Sequence, residues 1–198
     1  MKVKVALFDF DNTIYQGDSI NQLLKYYILH HPFSIFYLVR SLVLYIGYKL
    51  KINSFIALKS SLLFPIDKMS DKELECFYQE NIIPRYYLHV VDELKRKKEE
   101  GYKVIICTAS CEAYMKYHQL PIDCLIATQT RGSQIIGKNC KNEHKVTLIN
   151  QYLKDKNYEI DFDHSYAYSD SYSDMPMLNM VKNKVRIELK TGKIMEWS

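Results

Sequence analysis

Three short apolar runs, each ending in a tail of carboxylates or hydroxyls, constrain this chain more than any other feature of its sequence. Residues 3–8 run into Asp9-Phe10-Asp11-Asn12-Thr13; residues 104–107, entered from Gly101, are followed by Thr108-Ala109-Ser110; residues 165–168 are followed by Ser169-Asp170. Apolar runs of this length, bounded by polar turns, read as buried strands. Before and after the second run, apolar residues fall three or four apart, at Val90, Val91 and Leu94 and again at Val146, Ile149 and Leu153. That is helical spacing. Strand and helix in alternation predict an α/β fold with a parallel sheet covered on both faces. Ligands of such sheets bind beyond the carboxyl ends of the strands, where the three polar tails converge.

The segment between the first run and the helix expected near Tyr87 is far too long for a simple crossover and is helical in its periodicity throughout. An inserted α-helical cap over residues 16–83 is expected, with a core of residues 1–15 and 84–198. The chain's 198 residues suit one core with such an insertion. Hydrophobic residues at 47% and charged ones at 25% exclude wholesale disorder. The most apolar part, residues 33–50, is comparable to the roughly 20 residues of a membrane span, but Arg40 near its middle and Lys49 near its end disfavour one. Two readings remain for it. It forms the core of the cap, or it lies on a membrane surface with Phe33, Phe36, Tyr37, Leu38 and Tyr45 in lipid and the cations at the headgroups. Residues 95–100, Lys-Arg-Lys-Lys-Glu-Glu, read as a solvated helix end whose cations complement the dipole.

A net charge of +4 favours phosphorylated compounds or anionic lipid as partners, and nucleic acid is not expected. The five cysteines, at 76, 107, 111, 124 and 140, have no paired spacing and read as small hydrophobes. With no secretory pattern at the basic start, a reduced cytoplasmic setting follows, with the inner membrane face as a second locus.

Asp9 and Asp11 stand two apart, so on extended chain both project to one side. Two carboxylates in one small space require a divalent cation, a shared proton, or both. Oxygen ligands favour magnesium. Asp170 and Asp174 add carboxylates from the third tail, although Asp174, just before Met175-Pro176, also suits a helix N-cap. Thr108 and the amide of Ala109 offer a hydroxyl and turn donors to an anion at an expected helix start; an ordinary N-cap Thr is the alternative. Lys145 opens a helix after the polar residues 138–144.

In this order, an acidic pair, a hydroxyl, a lysine and a second acidic pair resemble the four motifs of the haloacid dehalogenase-like phosphohydrolases. The likeness is closest to the phosphoserine-phosphatase-like branch, whose helical cap is inserted after the first motif. The resemblance implies a Rossmann-like three-layer core and a magnesium-dependent phosphatase acting through an aspartyl phosphate. Asp9 would be the nucleophile and Asp11 the general acid and base. Asp9, Asp170 and the main-chain carbonyl of Asp11 would hold Mg²⁺, Thr108, Ala109 and Lys145 would bind the phosphoryl oxygens, and Asp174 would support them. Asn12 replaces the glycine common between Asp11 and Thr13, a position where Asn tolerates left-handed backbone.

For substrate selection, the glutamate and cap arginine that grip phosphoserine correspond here to Asp18 and Lys59. A shorter carboxylate and the loss of a guanidinium weigh against phosphoserine itself. Residues 8–25 and 32–50, Leu125-Ile126-Ala127, Arg131-Gly132, Glu143-His144-Lys145-Val146 and Tyr168-Ser169-Asp170-Ser171 are similar to bacterial phosphatidylglycerophosphate phosphatases of the C type. This likeness implies a glycerol-linked or lipid phosphate such as phosphatidylglycerophosphate. A small soluble phosphate such as a phosphoamino acid, a catalytically silent phosphate-binding module, and phosphoryl transfer to an acceptor other than water are the alternatives.

Overall fold

A computed structural model of the chain describes residues 1–197. The elements begin with β1 (Lys2–Val3) and β2 (Val5–Phe8), followed by α1 (Ser19–His30), α2 (Tyr37–Lys49), α3 (Phe55–Leu62), α4 (Phe64–Lys68), α5 (Asp71–Phe77) and α6 (Leu88–Glu99). Then come β3 (Lys103–Cys111), α7 (Glu112–Met115), β4 (Cys124–Thr128), β5 (Thr130–Arg131), β6 (Gln134–Ile135) and α8 (Glu143–Asp155). The chain ends with β7 (Glu159–Ile160), β8 (Tyr166–Ser169), α9 (Met175–Leu178), β9 (Asn183–Ile187) and β10 (Ile194–Glu196). The six-stranded central sheet has the order β10-β9-β8-β2-β3-β4 and is parallel except for β10.

The central strand β2 is buried on both faces, which is why its sequence, Val-Ala-Leu-Phe, has no polar residue. Its side chains alternate between two cores. Val5 and Leu7 pack with Ile149 and Leu153 of α8 and Met177 and Leu178 of α9. Ala6 and Phe8 pack with Val90, Val91 and Leu94 of α6. Helix, sheet and helix form three layers, and the Phe8 and Tyr168 rings stack at 4.1 Å across the β2–β8 pair.

Beyond Phe8 the chain turns sharply. The Phe10 carbonyl accepts the N–H groups of Thr13, Ile14 and Tyr15 at 2.9–3.1 Å, and Asn12 takes a left-handed φ of 60°. That conformation costs Asn less than most residues. Between β2 and β3 every element is helical. The chain leaves and re-enters the core side by side: Gln16 N–H donates to the Arg85 carbonyl at 2.9 Å and Tyr87 N–H to the Ile14 carbonyl at 2.8 Å.

Three expectations are corrected. Strand β3 continues through Thr108 to Cys111, with an irregularity in its pairing to β4 after Cys107, so the following helix opens at Glu112 and not at Thr108. Lys97 is buried, not solvated: its Nζ sits 3.4 Å from the centroid of the Tyr166 ring and 3.9 Å from a Glu93 carboxylate oxygen, contacts that offset lost hydration. Residues 33–50 are not the core of the helical segment. Within α2 only Ser41 and Gly47 are buried, whereas Val39, Leu42, Val43 and Ile46 are exposed. The small residues face inward where neighbours come close: Ser61 of α3 donates a hydrogen bond to Ser41 at 2.9 Å, and a β-carbon on Gly47 would lie 2.1 Å from the amide of Asn53 in the turn between α2 and α3. Among the described residues no helix is long and apolar enough to cross a membrane.

Candidate active site

Three strands deliver the site. Asp9 follows β2, Thr108 lies at the pairing irregularity in β3, and Asp170 follows β8; β2 is hydrogen-bonded to both neighbours. Asp9 N–H donates to the Tyr168 carbonyl at 3.0 Å, extending the ladder one residue and fixing where the carboxylate leaves the sheet. Asp9, Asp11, Thr108, Ala109, Lys145 and Asp174 line one cavity of about 270 Å³. Asp18 and Lys59 border the same cavity. Asp170 is held beside it, its amide donating to Thr13 Oγ1 at 3.2 Å and its carboxylate accepting from that hydroxyl at 3.4 Å.

Lys145, buried in the first turn of α8, is clamped between Asp9 Oδ1 at 2.6 Å and Asp174 Oδ1 at 2.8 Å. Burial opposes its charge, but the two carboxylates outweigh burial and hold the ammonium above its usual range. Asp174 therefore does not cap α9 through its side chain. It spends one oxygen on Lys145 and the other on the Ser169 hydroxyl at 2.8 Å.

The carboxylates outnumber the cations that meet them. Burial is the largest cause in raising Asp9 to about 7, with Lys145 only partly offsetting it and Asp174 and Asp11 raising it further. Asp11 is pushed up to about 6, by burial first and then by Asp18. Asp170 is raised, again chiefly by burial, with Asp174 adding to it. A divalent cation would remove this imbalance, and the donors present are the carboxylate and carbonyl oxygens that magnesium accepts. The chemistry of these donors thus fits Mg²⁺. Among the described residues no group of three or more His, Cys, Asp or Glu side chains converges as a metal cage.

Asp11 is suspended by two donors. Its Oδ1 accepts from Ser19 N–H at 2.9 Å and its Oδ2 from the Ser110 hydroxyl at 2.5 Å; Ser110 in turn meets Ser19 Oγ at 2.7 Å, and Ser19 meets Tyr114 OH at 2.9 Å. This buried relay was not read from the sequence, where only the position of Ser110 two residues after Thr108 hinted at it. Asn139 was also missed. It takes a hydrogen bond from Lys59 Nζ at 2.6 Å and one from Thr128 at 3.0 Å. A second Lys59 proton goes to the Ala109 carbonyl at 2.6 Å, so this lysine ties α3 to the core strand and keeps one proton for the cavity. Asp18, exposed, accepts from Asn21 N–H at 2.8 Å as the N-cap of α1.

A family model of haloacid dehalogenase-like hydrolases matches residues 6–179, nearly the whole chain. The chain belongs to that family. No curated protein matches it. Among solved structures, a protein described as of unknown function from Bordetella pertussis Tohama I is 23% identical, with a TM-score of 0.75 over 94% of this chain and 90% of its own. A substrate-bound phosphoserine phosphatase is similar at 16% identity and a TM-score of 0.61, covering 93% and 85% of the two chains. A phosphoserine phosphohydrolase-like protein from Francisella tularensis subsp. tularensis SCHU S4 is likewise 16% identical, with a TM-score of 0.61 over 93% and 87%. At these identities the likeness speaks for the fold of this hydrolase, the α/β sheet with its helical layers.

Proposed function

We propose that this haloacid dehalogenase-like hydrolase is a magnesium-dependent phosphatase of phosphomonoesters, with a glycerol-linked or lipid phosphate as substrate. The observation that carries the reading is the clamp of Lys145 between Asp9 and Asp174 at the floor of a cavity that also holds Asp11 and Thr108. A carboxylate nucleophile needs a positioned cation beside it, to orient it and to meet the charge that spreads over the phosphoryl oxygens in the transition state.

In this mechanism a carboxylate oxygen of Asp9 forms the bond to phosphorus as the ester oxygen leaves, giving an aspartyl phosphate. Asp11 delivers a proton to the departing alcohol and then takes one from the water that attacks the intermediate, releasing inorganic phosphate and restoring Asp9. A carboxyl held near neutrality by burial can perform both transfers, since it is neither always charged nor always protonated at working pH. Lys145 and the Thr108 hydroxyl donate to the transferred oxygens. Mg²⁺, held by Asp9, Asp170 and the Asp11 carbonyl, supplies charge neutralisation when bound.

The alcohol side of the substrate meets Ile20, Phe55, Leu58 and Leu62, the apolar members of the same cavity lining. A phosphate ester with an aliphatic portion matches both halves of the cavity better than a zwitterionic amino acid does. The test is a phosphate-release screen with Mg²⁺ over sugar, amino-acid, nucleotide and glycerolipid monoesters. The glycerolipid ester is expected to be turned over best. Preference for a phosphoamino acid would move the substrate to the soluble class, and no release from any ester by folded, magnesium-loaded protein would leave a phosphate-binding module.

A further inference from the structure

The outward face of α2 and the turn before it is built inside out. Its inward positions are the small Ser34, Ser41 and Gly47, and its large apolar side chains point to water: Phe33 is 86% exposed, Phe36 71% and Val43 61%. Leu50 and Ile52 continue this surface past the end of the helix. Scattered apolar residues on a surface mean little, but a continuous patch of this kind marks a binding face.

Charge selects the occupant. From Ser19 to Ile66 the chain contains no Asp or Glu, while Lys25, Arg40, Lys49 and Lys51 are all exposed. A second copy packed on the same face across a two-fold axis would bring these cations against their own kind with no carboxylate of the segment to meet them. Aromatic and aliphatic side chains flanked by Lys and Arg, with no acid, instead match an anionic lipid interface, where rings enter the headgroup and acyl boundary and cations stay at the phosphates. The helix is too short to cross the bilayer, so it lies along it.

The face also borders the catalytic cavity. An open apolar groove runs between α2 and α3, lined by Ile35, Leu38, Val39, Leu42 and Tyr45 and closed by Leu58 and Leu62. Leu58 and Leu62 line the catalytic cavity as well.

We propose that the α2 face docks this protein on a bilayer rich in anionic phospholipid, and that the groove between α2 and α3 takes an acyl chain whose phosphate reaches Asp9. Docking stands on the surface alone; the role of the groove rests on the phosphatase reading above.

Sedimentation of the full chain with phosphatidylcholine vesicles, and with vesicles containing one quarter phosphatidylglycerol, tests it. The protein should pellet with the anionic vesicles and bind them at least tenfold more tightly than the neutral ones, with the difference shrinking as salt is raised. The triple substitution Phe33→Ser, Phe36→Ser, Val43→Ser should lower partitioning at least tenfold while leaving hydrolysis of a soluble aryl phosphate unchanged. The pair Lys49→Gln, Lys51→Gln should reduce only the preference for anionic vesicles. Asp9→Asn should bind vesicles as the parent does and hydrolyse nothing. Intact protein remaining in the supernatant with anionic vesicles overturns the docking. So does a concentration-dependent dimer that the triple variant abolishes without any vesicle binding by the parent. Retained aryl phosphatase activity in those cases would leave the catalytic reading standing, whereas vesicle binding without turnover of any ester would remove the groove's role and keep the docking.

Discussion

Lys145 Nζ lies 2.6 Å from Asp9 Oδ1 although 136 residues separate the two in sequence, and both side chains are almost fully buried. The pair joins the tail of β2 to the first turn of α8, so a single contact sets the orientation of the proposed nucleophile. Removing the cation leaves two carboxylates, those of Asp9 and Asp174, facing each other without it.

Lys145→Met keeps most of the length of the side chain and removes its charge and its hydrogen-bond donors. Turnover is expected to fall on the order of 10²–10³-fold, the usual loss when one donor to a reacting group is deleted. Steady-state rates on an aryl phosphate, with the melting temperature recorded alongside, measure this. A rate within tenfold of the parent in a folded variant would contradict the placement of Lys145 at the phosphoryl oxygens.

Asp9→Asn preserves shape and a hydrogen-bond acceptor for Lys145 but removes the nucleophilic carboxylate. No phosphoenzyme should form. Mass spectrometry after rapid acid quench with a fast-leaving ester should show an added phosphoryl group on the parent and none on the variant. Normal labelling of the variant would move the nucleophile to another residue.

Ser110→Ala deletes the 2.5 Å donor to Asp11 and leaves Ser19 N–H as its remaining support. Because the Ser110 hydroxyl favours the ionised carboxylate, its loss should raise the pH at which Asp11 gives up its proton. The pH profile of kcat should shift upward and its maximum fall several-fold, with KM little changed. An unshifted profile would reduce Ser110 to a packing residue.

The sheet edge was legible in the sequence because each of its residues sits just beyond an apolar run or at the start of a periodic one. Asp9, Thr108 and Asp170 could be placed by counting from the ends of apolar runs, although at Thr108 the strand itself goes on, and Lys145 by its place before Val146, Ile149 and Leu153. What pairs across the fold was not legible. Nothing local marks Lys59 as the partner of Asn139, or Ser110 as the partner of Asp11, because those contacts exist only once α3 and β3 have packed. The inverted face of α2 was hidden for another reason. A helix that is apolar nearly all round shows no stripe, so periodicity cannot say which side is inward; Ser41 decides it by meeting Ser61 of α3, and Gly47 by admitting the Asn53 side chain. Lys97 misled in the same way, since a run of charges conceals the one member that points at Tyr166.

Lys59→Met tests the tie between α3 and the core. It removes hydrogen bonds to the Ala109 carbonyl and Asn139 Oδ1, both half-buried, and leaves the single Thr128 hydroxyl proton to serve two acceptors, one of which then goes without a partner at a cost of up to about 1–3 kcal/mol. A lowered melting temperature and a raised KM are expected, since Ala109 and Lys59 both border the cavity. Lys59→Arg, with a broader head in the same space, should not restore the parent. Unchanged stability and KM in Lys59→Met would show that the lysine holds nothing together.

Asp9 and Asp11 make the stability of the metal-free protein depend on pH in a defined direction. Folding raises Asp9 to about 7 and Asp11 to about 6, above the value of about 3.9 for an unfolded aspartate. Groups whose proton affinity rises on folding contribute stability that is fully present below the unfolded value and is lost as pH climbs through the folded one. In EDTA the melting temperature should therefore fall as pH is raised from 5 to 8, by an amount corresponding to a loss on the order of 4 kcal/mol. Magnesium favours the ionised carboxylates and should oppose this, so its stabilising effect should grow over the same interval. Asp11→Asn should flatten the metal-free slope, and Asp9→Asn should remove most of the response to magnesium. A melting temperature that rises from pH 5 to 8 in EDTA would mean that Lys145 outweighs burial at this cluster, and that no excess of negative charge awaits a cation there.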